Sequence, residues 1–201
     1  LPHLHAWEQA ICALPDTPDN TDKKTRLPEA IRLQAAMYEQ TGQEEPAAAL
    51  IARLAEQWPE DVGSLQMRGQ RALRRQEYAE AAHCAEALTR LAGGDPYSFY
   101  LYGVALFHLH RRQESYNAFA EAMQRAGRDA GCLMYQCRIL MDAGQWDDAK
   151  QIADDLQKAQ VESPVLDYIL GRFASHDSRR EDAETLFAKL VEVCRQPQKH
   201  F

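Results

Sequence analysis

The chain has 201 residues, 45% of them apolar and 26% charged, so it is long and apolar enough to bury a sizeable core as a single globular body. Lys and Arg number 23 against 30 Asp and Glu, a formal charge of -7, which leaves no basic field for phosphates and argues against nucleic acid as a partner. No apolar run approaches the roughly 20 residues of a membrane-spanning helix, which argues against direct membrane insertion.

Residues 1–14 do not make a secretory signal, since two histidines and Glu8 interrupt them. Leu4, Trp7, Ile11 and Leu14 instead form one apolar stripe, which predicts a short helix ended by Pro15. The stretch from Pro15 to Arg26 is polar and reads as a linker. Extended, its twelve residues reach about 40 Å. Three placements of the helix are therefore open: capping the first repeat, which is the simplest, folding back over a ligand groove, or crossing to a second subunit. The chain begins at Leu1 without a methionine, so a longer natural chain with a removed signal or anchor is open as well.

From residue 27 the sequence repeats every 34 residues. Ala35, Gly69, Gly103, Cys137 and Gly171 lie at that interval, and twelve residues after each come Ala47, Ala81, Ser115, Ala149 and Ala183. All ten are small. Ile51, Ala85, Phe119, Ala153 and Phe187 follow in register, then Leu54, Leu88, Ala122, Leu156 and Leu190. Two helices that cross at about 8–10 Å need a small residue at the crossing, and Gly103 with Ser115 would be one such pair. Thr41-Gly42, Arg74 to Gln76, Arg111 to Gln113, Ala143 to Gln145 and Asp177-Ser178 break each repeat in the middle. Pro59, the stretch from Gly93 to Pro96, and Pro164 mark joins. Strand-like alternation is absent.

The small residues, Tyr38 in the first unit, Tyr78 in the second and Trp146 in the fourth, Phe119 and Phe187, and Pro59 at a join together resemble the tetratricopeptide repeat family. Cys137 stands where the family has glycine, Ser115 replaces an alanine, and the family's opening tryptophan is missing from every unit. The resemblance implies an all-α fold, a right-handed α-solenoid of stacked helix-turn-helix repeats. Residues 1–26 would be an N-terminal helix and linker, 27–195 a five-repeat domain, and 196–201 a tail. It also implies a concave groove, lined by the first helices and read at the second, fifth, ninth and twelfth residues of each unit. Those positions include Arg32, Gln66, Gln70, Tyr97, Tyr100, Val104, Phe107, Met134, Arg138, Met141, Tyr168 and Arg172. The tyrosines and methionines suit recognition of an extended peptide with apolar or aromatic anchors, and the arginines suit an acidic flank. The heat-shock type of carboxylate clamp does not fit, because the places that need Lys and Asn hold Arg32 and Ala36, Gln66 and Gln70, Tyr100 and Val104.

These residues point to a protein-interaction scaffold, adaptor or chaperone. The alternative is an assembly or docking module of a larger protein, a transferase or a secretion component, with catalysis elsewhere. Leu186 and Val193 continue the face that a second helix normally offers to the next repeat, and with Trp7 and Ile11 they are the candidate interface residues for a homodimer. No enzymatic activity, metal or cofactor is expected. His3 and His5, like His108 and His110, lie about 200° apart on a helix, so neither pair ligates one ion from one face. No serine or cysteine has a base at readable spacing, and Asp147-Asp148 and Asp154-Asp155 read as a solvated face. Five cysteines, odd in number and without a Cys-x-x-Cys pair, suggest reduced thiols in a cytoplasm.

Overall fold

The computed structural model describes residues 2–13, 21–91 and 93–195; Leu14, Pro15 and the 196–201 tail lie outside the described residues. Among the described residues there is no strand. The described residues hold eleven helices in succession: α1 (Pro2–Cys12), α2 (Thr21–Gln40), α3 (Glu44–Gln57), α4 (Val62–Arg74), α5 (Tyr78–Leu91), α6 (Pro96–His108), α7 (Arg112–Ala126), α8 (Ala130–Asp142), α9 (Trp146–Lys158), α10 (Pro164–His176) and α11 (Arg180–Arg195). After α1 they run as five helix pairs, and the starts of α4, α6, α8 and α10 keep the 34-residue step.

Local chemistry sets those starts and stops. The side chains of Asp61, Asp95 and Asp129 accept hydrogen bonds from the backbone N–H of Ser64 (2.7 Å), Ser98 (3.2 Å) and Cys132 (2.8 Å), and the Ser163 hydroxyl accepts from that of Val165 (3.2 Å). A short oxygen-bearing residue at this place satisfies a donor that the first helical turn leaves open. In the first repeat the equivalent position holds Leu27, which offers no cap. Helix α2 therefore runs straight through from Thr21, and the last six residues of the stretch that reads as a linker are helical instead. Pro28 lies inside α2 with its side chain fully buried.

The turn within each pair is equally regular. Gly42, Gln76, His110, Gly144 and Ser178 all adopt a positive φ, between 60° and 77°. The residue after each donates its N–H back across the end of the preceding helix: Gln43 to Tyr38 O, Glu77 to Ala72 O, Arg111 to Leu106 O, Gln145 to Leu140 O and Arg179 to Ala174 O, at 2.8–3.0 Å. This is the Schellman closure, in which one left-handed residue lets two orphan carbonyls be used. It falls on Leu109-His110 in the third repeat, slightly before the polar break that the sequence suggests at Arg111 to Gln113.

The small residues are buried as the spacing predicts. Ala35, Ala47, Ala81, Ser115, Cys137 and Ala149 have no accessible surface. In the fourth repeat the two small positions touch, with Cys137 Sγ 3.3 Å from Ala149 O. A Cβ added to Gly69 would stand 2.9 Å from Leu101 Cδ2 and 3.4 Å from Cys84 Cβ, and one added to Gly171 would meet the Phe187 ring at 2.7 Å. Closing these crossings brings the larger residues of the repeat, Leu54, Leu88 and Phe119, completely out of water, which stabilises by about 1.5–3 kcal/mol for each such side chain.

The helices cluster in two compact units, 1–105 and 106–201, with the division inside α6. In the first, α2 packs on α3 and α4, and α4 on α5. Leu27, Ala30, Ile31 and Leu54 form one core with Ile11, and Leu65, Cys84, Ala85, Leu88 and Leu101 form the next. Helix α1 lies on α2, where Ile11 is 4% exposed and Trp7 packs on the same core. Glu8 fastens it further, receiving Arg53 Nη1 at 2.6 Å and Gln34 Nε2 at 2.8 Å. Capping the first repeat is thus the placement adopted. Ile11 and Trp7 are committed to their own core and do not form the free dimer surface expected of them, because the stripe that exposes them in sequence is the one that α2 and α3 cover.

In the second unit α7 packs on α8, α8 on α9, and α10 on α8, α9 and α11. Its core holds Cys137, Leu140, Met141, Ala149, Ala153, Ile169 and Phe173. On α11 the repeat's larger positions, Phe187 and Leu190, are only half-buried with Leu186, and Val193 is 44% exposed.

Two substitutions test this construction. Gln76→Gly should raise unfolding stability by about 0.5–1 kcal/mol in urea titrations, since it removes the cost of a left-handed side-chain-bearing residue while loosening the unfolded chain. Gly69→Val should lower it by about 1–3 kcal/mol, because Leu101 and the Cys84 Cβ are both packed with no space to yield.

Candidate binding surface

In the first unit the faces of α2 and α4 enclose a hollow of about 450 Å³, lined by Arg32, Ala36, Glu39, Gly63, Gln66 and Gln70 among others. A Cβ at Gly63 would lie 2.5 Å from the Arg32 guanidinium, so a larger residue there would push the end of that flexible side chain aside. Arg32 pairs with Asp61, the carboxylate that also caps α4. Glu39 takes both Arg71 and Arg74 at 2.7 Å, one on each carboxylate oxygen. The cations that line or frame this hollow thus have carboxylate partners. Further along, Gln70 Nε2 donates to the Tyr97 hydroxyl at 3.0 Å, and the Tyr97 and Tyr100 rings stack at 6.4 Å. Tyr97 is 40% exposed and Tyr100 half-buried.

The second unit presents a different surface on α8, α10 and the end of α6. The Arg138 guanidinium carbon lies 4.5 Å over the Phe107 ring, 5.7 Å from the Tyr135 ring and 5.9 Å from the Tyr168 ring. Tyr135 meets Phe107 edge-on at 5.2 Å and stacks on the buried Phe119 at 4.9 Å, so it anchors this surface to the core. Tyr168 is 37% exposed. Arg172 lies 5.7 Å over Trp146 and donates to Asp142 at 3.1 Å, where Arg112 also donates at 3.3 Å. Burial alone would depress the Arg172 guanidinium, but its hydrogen bonds to Asp142 and Tyr168 outweigh that and hold it above its ordinary value. His108, beside Phe107, is held below the usual imidazole range by burial first and then by the charges of Arg138 and His110.

Of the residues expected to face a ligand, Arg32, Gln66 and Gln70 meet at the first hollow. Phe107, Arg138 and Tyr168 meet in the second unit, and Met134 is half-buried against the core there. Two do not face outward. Met141 is 2% exposed, packed in the core with its Sδ 3.9 Å from Cys137 Sγ. Val104 is 8% exposed; its short β-branched side chain ends close to the helix, whereas Gln70, Arg138 and Arg172 at the same place in their repeats reach beyond their neighbours. Both expectations are therefore corrected. Tyr135 is the participant that repeat arithmetic overlooks, although it stands one turn before Arg138 on the same helix face.

Among the thiols, burial pushes Cys84, Cys132 and Cys137 up to about 12, so these three carry no thiolate at neutral pH. Cys12 and Cys194 are exposed, and all five cysteines are free. Among the described residues no three His, Cys, Asp or Glu stand close enough to share a metal ion, and no helix is long and apolar enough to cross a membrane.

No family model matches this chain, and no curated protein matches it. Solved structures do. PilF of Pseudomonas aeruginosa superposes with a TM-score of 0.67 at 12% identity, over 98% of this chain and 94% of that one. A tetratricopeptide repeat protein of Parabacteroides merdae gives 0.63 at 16% identity, over 98% and 89%. YrrB, described as a tetratricopeptide repeat protein with an unusual peptide-binding site, gives 0.62 at 18% identity, over 85% and 87%. Identities this low carry the architecture and nothing beyond it: with its helix pairs, its 34-residue step and these neighbours, the chain has the tetratricopeptide repeat fold.

Proposed function

We propose that the chain is a non-enzymatic interaction module that binds an extended peptide on the faces of its first helices. The observation that carries this reading is the exposure of large, rigid aromatic side chains, Tyr97 in the first unit and Tyr168 in the second, on faces that the core does not use. A tyrosine left outward costs the fold nothing and offers a partner a broad apolar body with a polar end. The fold is generally one of protein-protein interaction modules, and YrrB, of the same architecture, is described as having a peptide-binding site.

A second reading, a docking module within a larger assembly, is favoured by the partly open apolar stripe Leu186, Leu190 and Val193 on α11. The two readings separate by experiment. On an array of overlapping decapeptides, Tyr97→Ala and Tyr168→Ala should each weaken the bound peptides about tenfold or more without lowering the melting temperature. Unaltered binding by both variants, or an array without binders, would count against the peptide reading. Leu186→Glu together with Val193→Glu should convert any self-associated species to monomer in light scattering if the α11 stripe is the joint, and leave peptide binding as it was.

A further inference from the structure

Arginines on these helices usually have a carboxylate partner within the chain, although the Nε of Arg112 is buried without an acceptor. Arg32, Arg53, Arg68, Arg71, Arg74, Arg112 and Arg172 each have a carboxylate partner. With 30 acidic side chains against 23 basic ones, carboxylates are in surplus. Arg138 is treated differently. Its recorded contacts are the rings of Phe107, Tyr135 and Tyr168, and its N–H groups find no acceptor among the described residues. Aromatic faces hold a guanidinium in place but cannot take its five in-plane donors. Those donors stay open to water at the surface, and a planar two-oxygen acceptor is the group that their fork matches.

We propose that Arg138, clamped by Phe107, Tyr135 and Tyr168, is the seat of a single carboxylate carried by the bound peptide. This rests on the peptide-binding reading above and names the chemistry that it recognises. One guanidinium supplies one charge, and the neighbouring His108 is disfavoured as a cation by its burial. A singly charged carboxylate therefore suits the site better than a doubly charged phosphate, which draws clustered arginines. The carboxylate can come from a Glu side chain or from the peptide's C-terminus. Phe107 and Tyr168 flank the charge and would cover the apolar residues beside it.

Three synthetic probes distinguish these sources when titrated into the whole ¹⁵N-labelled chain and followed by chemical shift: Ac-Phe-Gln-Leu-Phe-NH2, Ac-Phe-Glu-Leu-Phe-NH2 and Ac-Phe-Gln-Leu-Phe with a free C-terminal carboxylate. The expected result is that at least one carboxylate-bearing probe binds about tenfold tighter than the neutral one, and which one does so identifies the source. Arg138→Gln should abolish the difference while the neutral probe still binds, and Arg138→Lys should restore part of it. Equal binding of all three, or a preference that survives Arg138→Gln, overturns the carboxylate seat and leaves peptide binding standing. If none of the probes shifts any resonance, both the seat and the peptide reading fall.

Discussion

Everything in this chain depends on helices crossing where there is no room for a side chain. A helix pair of this length is marginal alone, since each helix hides only one face. The crossing at Cys137 and Ala149, and its counterpart around Gly69, let backbones approach until larger residues interlock, Leu140, Ile169 and Phe173 at the first and Leu88 and Leu101 at the second. The left-handed residue in each turn serves the same end. It reverses the chain in three residues, so that the second helix returns along the first in a fixed register.

Much of the fold was legible because this constraint acts on residue type. A crossing tolerates Gly, Ala, Ser or Cys and little else, so it leaves a periodic trace in the sequence. The turns were harder to place. Gln76, His110 and Ser178 take a conformation that glycine takes at Gly42 and Gly144, and nothing in their chemistry announces it. The caps, which only the structure brings out, also follow the repeat: Asp61, Asp95, Asp129 and Ser163 recur every 34 residues, and Leu27 breaks the series where α2 overruns its expected start. A carboxylate or hydroxyl there signals a stop to anything upstream, and a leucine signals none.

The binding surface was legible only in part, and the reason is angular. Each residue step turns a helix by about 100°, so a position that faces outward in one repeat is tipped inward by a slight rotation in the next. Met141 is drawn into the core by Cys137 and its neighbours, while Phe107, its equivalent one repeat earlier, stays at the surface under Arg138. Reach matters as much as direction, which separates Val104 from Arg138. Tyr135 escaped notice because its role is relational: it matters through Phe119 below and Arg138 above, and spacing alone does not report such a stack.

Glu39 holds Arg71 and Arg74 on separate oxygens, tying α2 to α4 at two points through one side chain. Such a tie opposes sliding and rolling of one helix on the other, so the hollow beside it tends to keep its shape. One carboxyl group thereby governs the aperture, and neutralising it would release both arginines at once, leaving the hollow more pliable and more positively charged.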